Sequence, residues 1–137
     1  MPEEATLKRA RQAKRAGKSP TTQAGEFVRE EIHHVREGKH GARSAKQAIA
    51  IGLSKARKAG VKLPPPPASA SKRTKESAAA ATRAARRGHR KTSAKRSRAT
   101  TRALKRESRR AVSRKALSRQ ARSVARRRQR RRRPAAA

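Results

Sequence analysis

The chain has 137 residues, carries 42 Lys/Arg against 8 Asp/Glu for a formal net charge of +34, and is 32% hydrophobic and 36% charged. Globular chains run at about 45–50% apolar and about 25% charged, so at most a small part of this one is expected to fold by burying itself. The absence of cysteine excludes disulfides, thiolate catalysis and cysteine zinc sites, and no run approaches the roughly 18 consecutive apolar residues of a membrane span.

The first segment, residues 1–63, holds 15 Lys/Arg and six of the eight acids. Met1-Pro2-Glu3-Glu4 lacks the apolar core of a secretory signal, and its two acids are unlike a transit peptide. The expected compartment is therefore the one where the chain is made, a bacterial cytoplasm with the nucleoid directly accessible. A short helix is predicted over about 3–16: Pro2 suits a first helical position, Glu3 and Glu4 the positive end of the dipole, and Gly17 the stop. With Leu7 as its only large apolar residue this helix is expected to fray, and Ser19-Pro20-Thr21-Thr22 to break it.

A second helix is predicted over about 23–37, with Thr22 as N-cap and Gly38 as stop. Ala24, Val28, Ile32 and Val35 follow helical spacing along one face, with Phe27 beside them. After the turn Lys39-His40-Gly41, Ser44 and Gln47 form a capping box that opens a third helix over about 45–59. Ala45, Ala48, Ile49, Gly52, Leu53 and Ala56 make its apolar stripe, and beyond Gly60 the chain can fold Val61 and Leu63 back on the last turn. The two helices form a hairpin whose candidate core or interface is Phe27, Val28, Ile32, Val35, Ile49 and Leu53, with Ala45, Ala48 and Gly52 allowing close approach. A lone hairpin of this size is marginal, so a homo-oligomer or a protein partner is the expected remedy.

Pro64-Pro65-Pro66-Pro67 marks a boundary and reads as a polyproline spacer of roughly 12 Å. Residues 68–137 then hold 27 Lys/Arg against Glu76 and Glu107, with Leu104, Val112, Leu117 and Val124 as the only large apolar side chains. This composition predicts a long intrinsically disordered basic tail. Within it, serine recurs at Ser108, Ser113, Ser118 and Ser123. Five residues advance a helix by about 140° beyond a full turn, so the repeat makes no single apolar face. Ala and Arg are good helix formers, and the tail is expected to become helical once phosphates cancel its self-repulsion.

A segment this basic has nucleic acid as its natural counterion, and +34 charges match roughly 20 base pairs of duplex at about one phosphate per 1.7 Å. The densest run, Arg126, Arg127, Arg128, Arg130, Arg131, Arg132 and Arg133, is the first candidate for phosphate contact. Arg109, Arg110, Arg114, Lys115, Arg119 and Arg122 extend it, and Arg86, Arg87, Arg90, Lys91, Lys95 and Arg96 form a second group. Phe27 is the sole aromatic residue and sits on a predicted core face, so the stacking platforms of single-strand readers are lacking. Duplex DNA is favoured, with structured RNA as competitor.

A helix-turn-helix reading would place Gln47 at a base edge, but Gln47 already has a capping role. His33, His34 and His40 suggest a metal, yet the first two point about 100° apart on a helix, and pairing with Glu30 or Glu37 is preferred. No metal is expected. Nor are catalytic residues: Glu26, Glu30, Glu31 and Glu37 have Arg29 and Arg36 within reach and no pocket to raise a pKa. Gly38-Lys39-His40-Gly41 is too short for a phosphate loop. No cofactor, small-molecule substrate or membrane is called for.

The stretch from Thr22 to Arg57, with its Gly38-Lys39-His40-Gly41-Ala42-Arg43-Ser44-Ala45-Lys46-Gln47 core, resembles a family of small basic bacterial proteins of unknown function, often labelled plasmid stabilisation or DNA-binding proteins. The likeness covers roughly residues 1–65. The Ala/Lys/Arg/Ser tail is similar in composition to linker-histone and bacterial histone-like tails, though richer in Arg than Lys. The expectation is a small all-α N-terminal module carrying a disordered basic tail. Its expected role is a non-enzymatic, nucleoid-associated, histone-like protein that binds and compacts duplex DNA largely without regard to sequence. The rivals are an RNA- or ribosome-associated protein and a plasmid-maintenance adaptor whose hairpin binds a protein partner.

Overall fold

In the computed structural model, which describes residues 2–88 and 91–133, the described residues form six α-helices and one 3-10 turn. In chain order these are α1 (Glu4–Arg15), α2 (Pro20–Arg36), α3 (Ala45–Lys58), α4 (Lys72–Arg87), α5 (Ala94–Lys105), the 3-10 turn Arg109–Val112 and α6 (Arg114–Arg132). The helix α2 starts earlier than Thr22 because the breaker segment is itself a start signal. Ser19 Oγ accepts from the Thr22 amide at 3.3 Å and Pro20 occupies the first turn, where its missing N–H costs nothing.

The first helix is held by a face that composition understates. Thr6 and Ala10 are buried, and Ala10 closes a cluster with Ala24, Phe27 and Ala56, flanked by Leu7, Leu53, Val61 and Leu63. Val61 and Leu63 reach it because the Val61 amide donates to the Ala56 carbonyl at 3.0 Å past the helix end. The helices α2 and α3 pack as a hairpin, closest at Gly52, where an added Cβ would sit 2.6 Å from Val28 Cα. Of the six candidate core residues, Phe27 and Val35 are fully buried, while Val28, Ile32, Ile49 and Leu53 are half-buried.

The region after the four prolines is not the long disordered tail that its composition predicts. It is helical over Lys72–Arg87, Ala94–Lys105 and Arg114–Arg132. Serine caps the first and last of these helices: Ser71 Oγ accepts from the Thr74 amide at 3.2 Å, and Ser113 Oγ from the Ala116 amide at 3.1 Å. The five-residue serine repeat thus works in part as a series of caps. Alanine, which adds little to a core by volume, lets helices lie close. Ala81 of α4 is buried where α4 packs on α3, so the proline run turns the chain back instead of holding it away.

The decisive contact lies at the 3-10 turn. Val112 is 1% exposed, closing a second cluster with Val35, Ala42 and Ala48 that Ile32 and Ala111 flank. The same segment is pinned by backbone bonds, from the Gly41 amide to the Leu104 carbonyl at 2.8 Å and from the Ala42 amide to the Ser108 carbonyl at 3.1 Å. Gly41 permits this approach, since a Cβ there would overlap the Glu107 carbonyl. Counting apolar side chains within residues 68–137 missed this, because one valine completes a cluster whose other members lie far upstream. Part of what the marginal hairpin needs is supplied by its own chain.

Candidate nucleic-acid interface

Docking of the 3-10 turn sets the start of α6 against the start of α3, and between them lies a cleft of about 750 Å³. Its cations are Arg43 and Lys46 from the α3 end and Arg119, Arg126, Arg127 and Arg130 from α6, with Ser44, Gln120 and Ser123 among the remaining lining residues and no carboxylate. Arg119, Ser123, Arg126 and Arg130 are spaced by four, three and four residues, which keeps them on one helical face. The cations of α6 therefore do not simply spread around the cylinder: this row converges on the cleft. The α3 end adds the positive pole of its dipole, capped by Ser44 Oγ, which accepts from the Gln47 amide at 3.2 Å.

The other predicted contact residues take varied positions. Arg114, Lys115, Arg122, Arg128, Arg131, Arg132 and Arg133 are exposed on or just after α6 without lining the cleft, and Arg131 donates to Ser69 Oγ at the approach to α4. Arg109 lies over Gly38, its guanidinium 3.1 Å from where a Cβ would be, while Arg110 is exposed. Arg86, Arg87, Lys91, Lys95 and Arg96 are exposed on and beside α4 and α5. Arg90 lies outside the described residues. Arg43 and Lys46 were absent from the candidate set; their signal was a basic pair flanking the Ser44 cap of a helix. Gln47 is turned inward to the cap, its Oε1 accepting from the Arg43 amide at 2.6 Å.

Most of the acids are drawn into internal pairs, though among the described residues none is with Arg29 or Arg36. Glu26 meets Arg9 at 2.8 Å, and Glu107 meets Arg43 at 3.8 Å. Glu31 is 1% exposed and sits among Lys55, which donates to its Oε1, His40 Nε2 at 3.2 Å and His34 Nδ1 at 3.7 Å. His34 and His40 are thus half-buried and face Glu31, where sequence spacing favoured Glu30 or Glu37. Their signal was Glu31 and His34 three residues apart on one helical face. Glu3 accepts from His34 Nε2 at 2.9 Å and from Lys39 at 3.3 Å, which together hold its carboxyl below the ordinary value, while the bond to Glu3, with Glu37 beside it, raises the Lys39 ammonium. Burial lowers the Arg57 guanidinium, which donates to the Pro64 carbonyl at 2.6 Å.

This geometry gathers cations at the cleft. No curated protein and no solved structure matches the chain. Residues 11–66, under half of its length, are similar to a protein family described as a family of unknown function (DUF6496), a description that names no activity, partner or plasmid role.

Proposed function

We propose that this protein is a non-enzymatic, nucleoid-associated DNA-binding protein that grips and compacts duplex DNA through its phosphate backbone, with little regard to sequence. The cleft carries the reading: six cations converge with no acid among the lining residues, only Arg43 of them meeting a described carboxylate, Glu107 at 3.8 Å, and such a concentration of like charge favours an entering anion. Along α6, Arg119 to Arg130 spans about 16 Å at 1.5 Å per residue, close to the axial rise of about five phosphates on one strand. Guanidinium forks match phosphate oxygens in pairs, and Ser44 and Ser123 add neutral donors.

Two features favour a duplex over other nucleic-acid modes. Phe27 is 1% exposed, so base stacking has no aromatic surface. Gln47 Oε1 is engaged with the Arg43 amide, which takes up the acceptor half of the bidentate amide pair that reads an adenine edge. Exposed cations outside the cleft, among them Arg86, Arg87, Lys95 and Arg96, supply a second surface that bridges neighbouring duplexes, which is the physical basis of compaction.

The test is competition for a labelled duplex of about 20 base pairs, the length that +34 charges match. Unrelated duplex sequences should compete within about threefold, and a single strand should be weaker by about tenfold or more. Tighter binding of single strands, of an RNA duplex, or of one sequence alone would overturn the assignment.

A further inference from the structure

The strongest feature that nucleic-acid binding leaves unused is the group of imidazoles around Glu31. Each ring has one nitrogen tied outward and the other turned toward the same buried carboxylate. His40 Nδ1 donates to the Gly41 carbonyl at 2.8 Å, leaving Nε2 at 3.2 Å from Glu31 Oε2. His34 Nε2 donates to Glu3 Oε1 at 2.9 Å, leaving Nδ1 at 3.7 Å from Glu31 Oε1. A neutral imidazole so anchored turns a lone pair, not a hydrogen, toward the carboxylate. In that form the nitrogen and the carboxylate can hold a cation between them, in addition to the Lys55 ammonium on Glu31 Oε1.

We infer that Glu31, His34 and His40 form a binding site for a divalent transition-metal ion of the zinc type. The three ligand atoms lie within 4.8 Å of one another. Bonds of about 2.0–2.2 Å at tetrahedral angles place ligand atoms about 3.3–3.6 Å apart; His40 Nε2 stands 3.2 Å from Glu31 Oε2, and His34 Nδ1 stands 3.7 Å from the other oxygen, Oε1. Two imidazoles and one carboxylate suit zinc and its neighbours better than calcium or magnesium. The outer hydrogen bonds are those that orient metal ligands: a carboxylate on one ring, a backbone carbonyl on the other, and Lys55 on the far oxygen of Glu31. A separate observation points the same way. Glu30 Oε2 is buried with no hydrogen-bond partner among the described residues, while its Oε1 accepts from the Glu3 amide, and Glu30 forms with Glu3 and His34 a second such group beside the rings. The side chains of His34 and His40 are 13% and 14% exposed, so the rings are in contact with solvent.

The site joins α2, which carries Glu31 and His34, to the α2–α3 turn, which carries His40. Gly41 and Ala42 of that turn hold the chain at Leu104 and Ser108. Metal binding therefore braces the seat of the arginine helices.

The test uses the full chain with zinc and, as a spectroscopic probe, cobalt(II). One ion per chain should bind, with the intense visible bands of four-coordinate cobalt and a rise in melting temperature. His34→Ala and His40→Ala should each weaken binding by about 100-fold, and Glu3→Gln, which removes only an outer carboxylate, by about tenfold. His33→Ala, one residue from His34 and exposed, should bind as the wild type does. Circular dichroism verifies that each variant is folded. Imidazole nitrogen NMR of the wild type, independent of any variant, should show His40 Nε2 and His34 Nδ1 shifting on metal addition. Failure of the wild type to take up zinc or cobalt stoichiometrically would falsify the site. So would undiminished binding by the His34→Ala/His40→Ala double variant, or imidazole nitrogen signals that do not move on adding zinc.

Discussion

Replacing Arg119, Arg126 and Arg130 together by alanine removes three of the six cations that line the cleft between α3 and α6. If each of the six neutralises one phosphate, the cleft contributes about −5.4 to the slope of log affinity against log salt, and the triple variant loses about 2.7 of it. Between 50 and 200 mM salt, that difference compresses the fall in affinity by about 40-fold. Alanine is at least as good a helix former as arginine, so α6 should remain helical by circular dichroism and the loss reads as charge. The assay is fluorescence anisotropy of a labelled duplex across a salt series. The control is Lys8→Ala/Arg15→Ala/Lys18→Ala, which removes the same charge from exposed positions on and just beyond α1, away from the cleft lining. A cleft that tracks phosphates gives a large slope change in the first variant and a small one in the second. Equal changes would mean that total charge governs binding and that the cleft geometry contributes nothing.

Two further outcomes test the fold that builds the cleft. Val112→Ala removes two methyl groups from a side chain 1% exposed, which should cost about 2 kcal/mol and lower the melting temperature by roughly 6 °C. Trypsin should then cut sooner between residues 91 and 113, and unchanged stability together with unchanged cleavage would refute docking through this valine. Gly52→Ala would improve helix propensity by about 1 kcal/mol, but its Cβ would lie 2.6 Å from Val28 Cα, and forcing α2 from α3 costs about 1–3 kcal/mol. The net effect should be destabilising, and a higher melting temperature would show that the two helices are not packed this closely.

The hairpin was legible because its signals are local. Ser44 and Gln47, the Ala45–Ala48–Gly52–Ala56 stripe and the stop at Gly60 act within a few residues of where they stand. The misreadings share one cause. Thr6 and Ala10 look unable to anchor a helix until Phe27 and Ala24 are set beside them. Ser19-Pro20 reads as a break or as a beginning according to whether α2 has a surface to lie on. In the cleft, four α6 arginines were on the candidate list because Arg density is plain in the sequence, while Arg43 and Lys46 were not, because nothing local says that α6 comes to rest beside them.

Composition alone determines that this chain is a strong polycation, that stacking on aromatic side chains is closed to it with Phe27 as the sole aromatic residue, and that cysteine chemistry is absent. Those properties belong to residues counted one at a time. Whether the basic half stays open or folds depended on Val112 meeting Val35, Ala42 and Ala48, and on Gly41 admitting the Glu107 carbonyl. Likewise, the meeting of His40 with Glu31 and His34 depended on how the α2–α3 turn folds back. Burial and chelation are properties of groups brought together from distant positions, and only the tertiary structure specifies which groups those are.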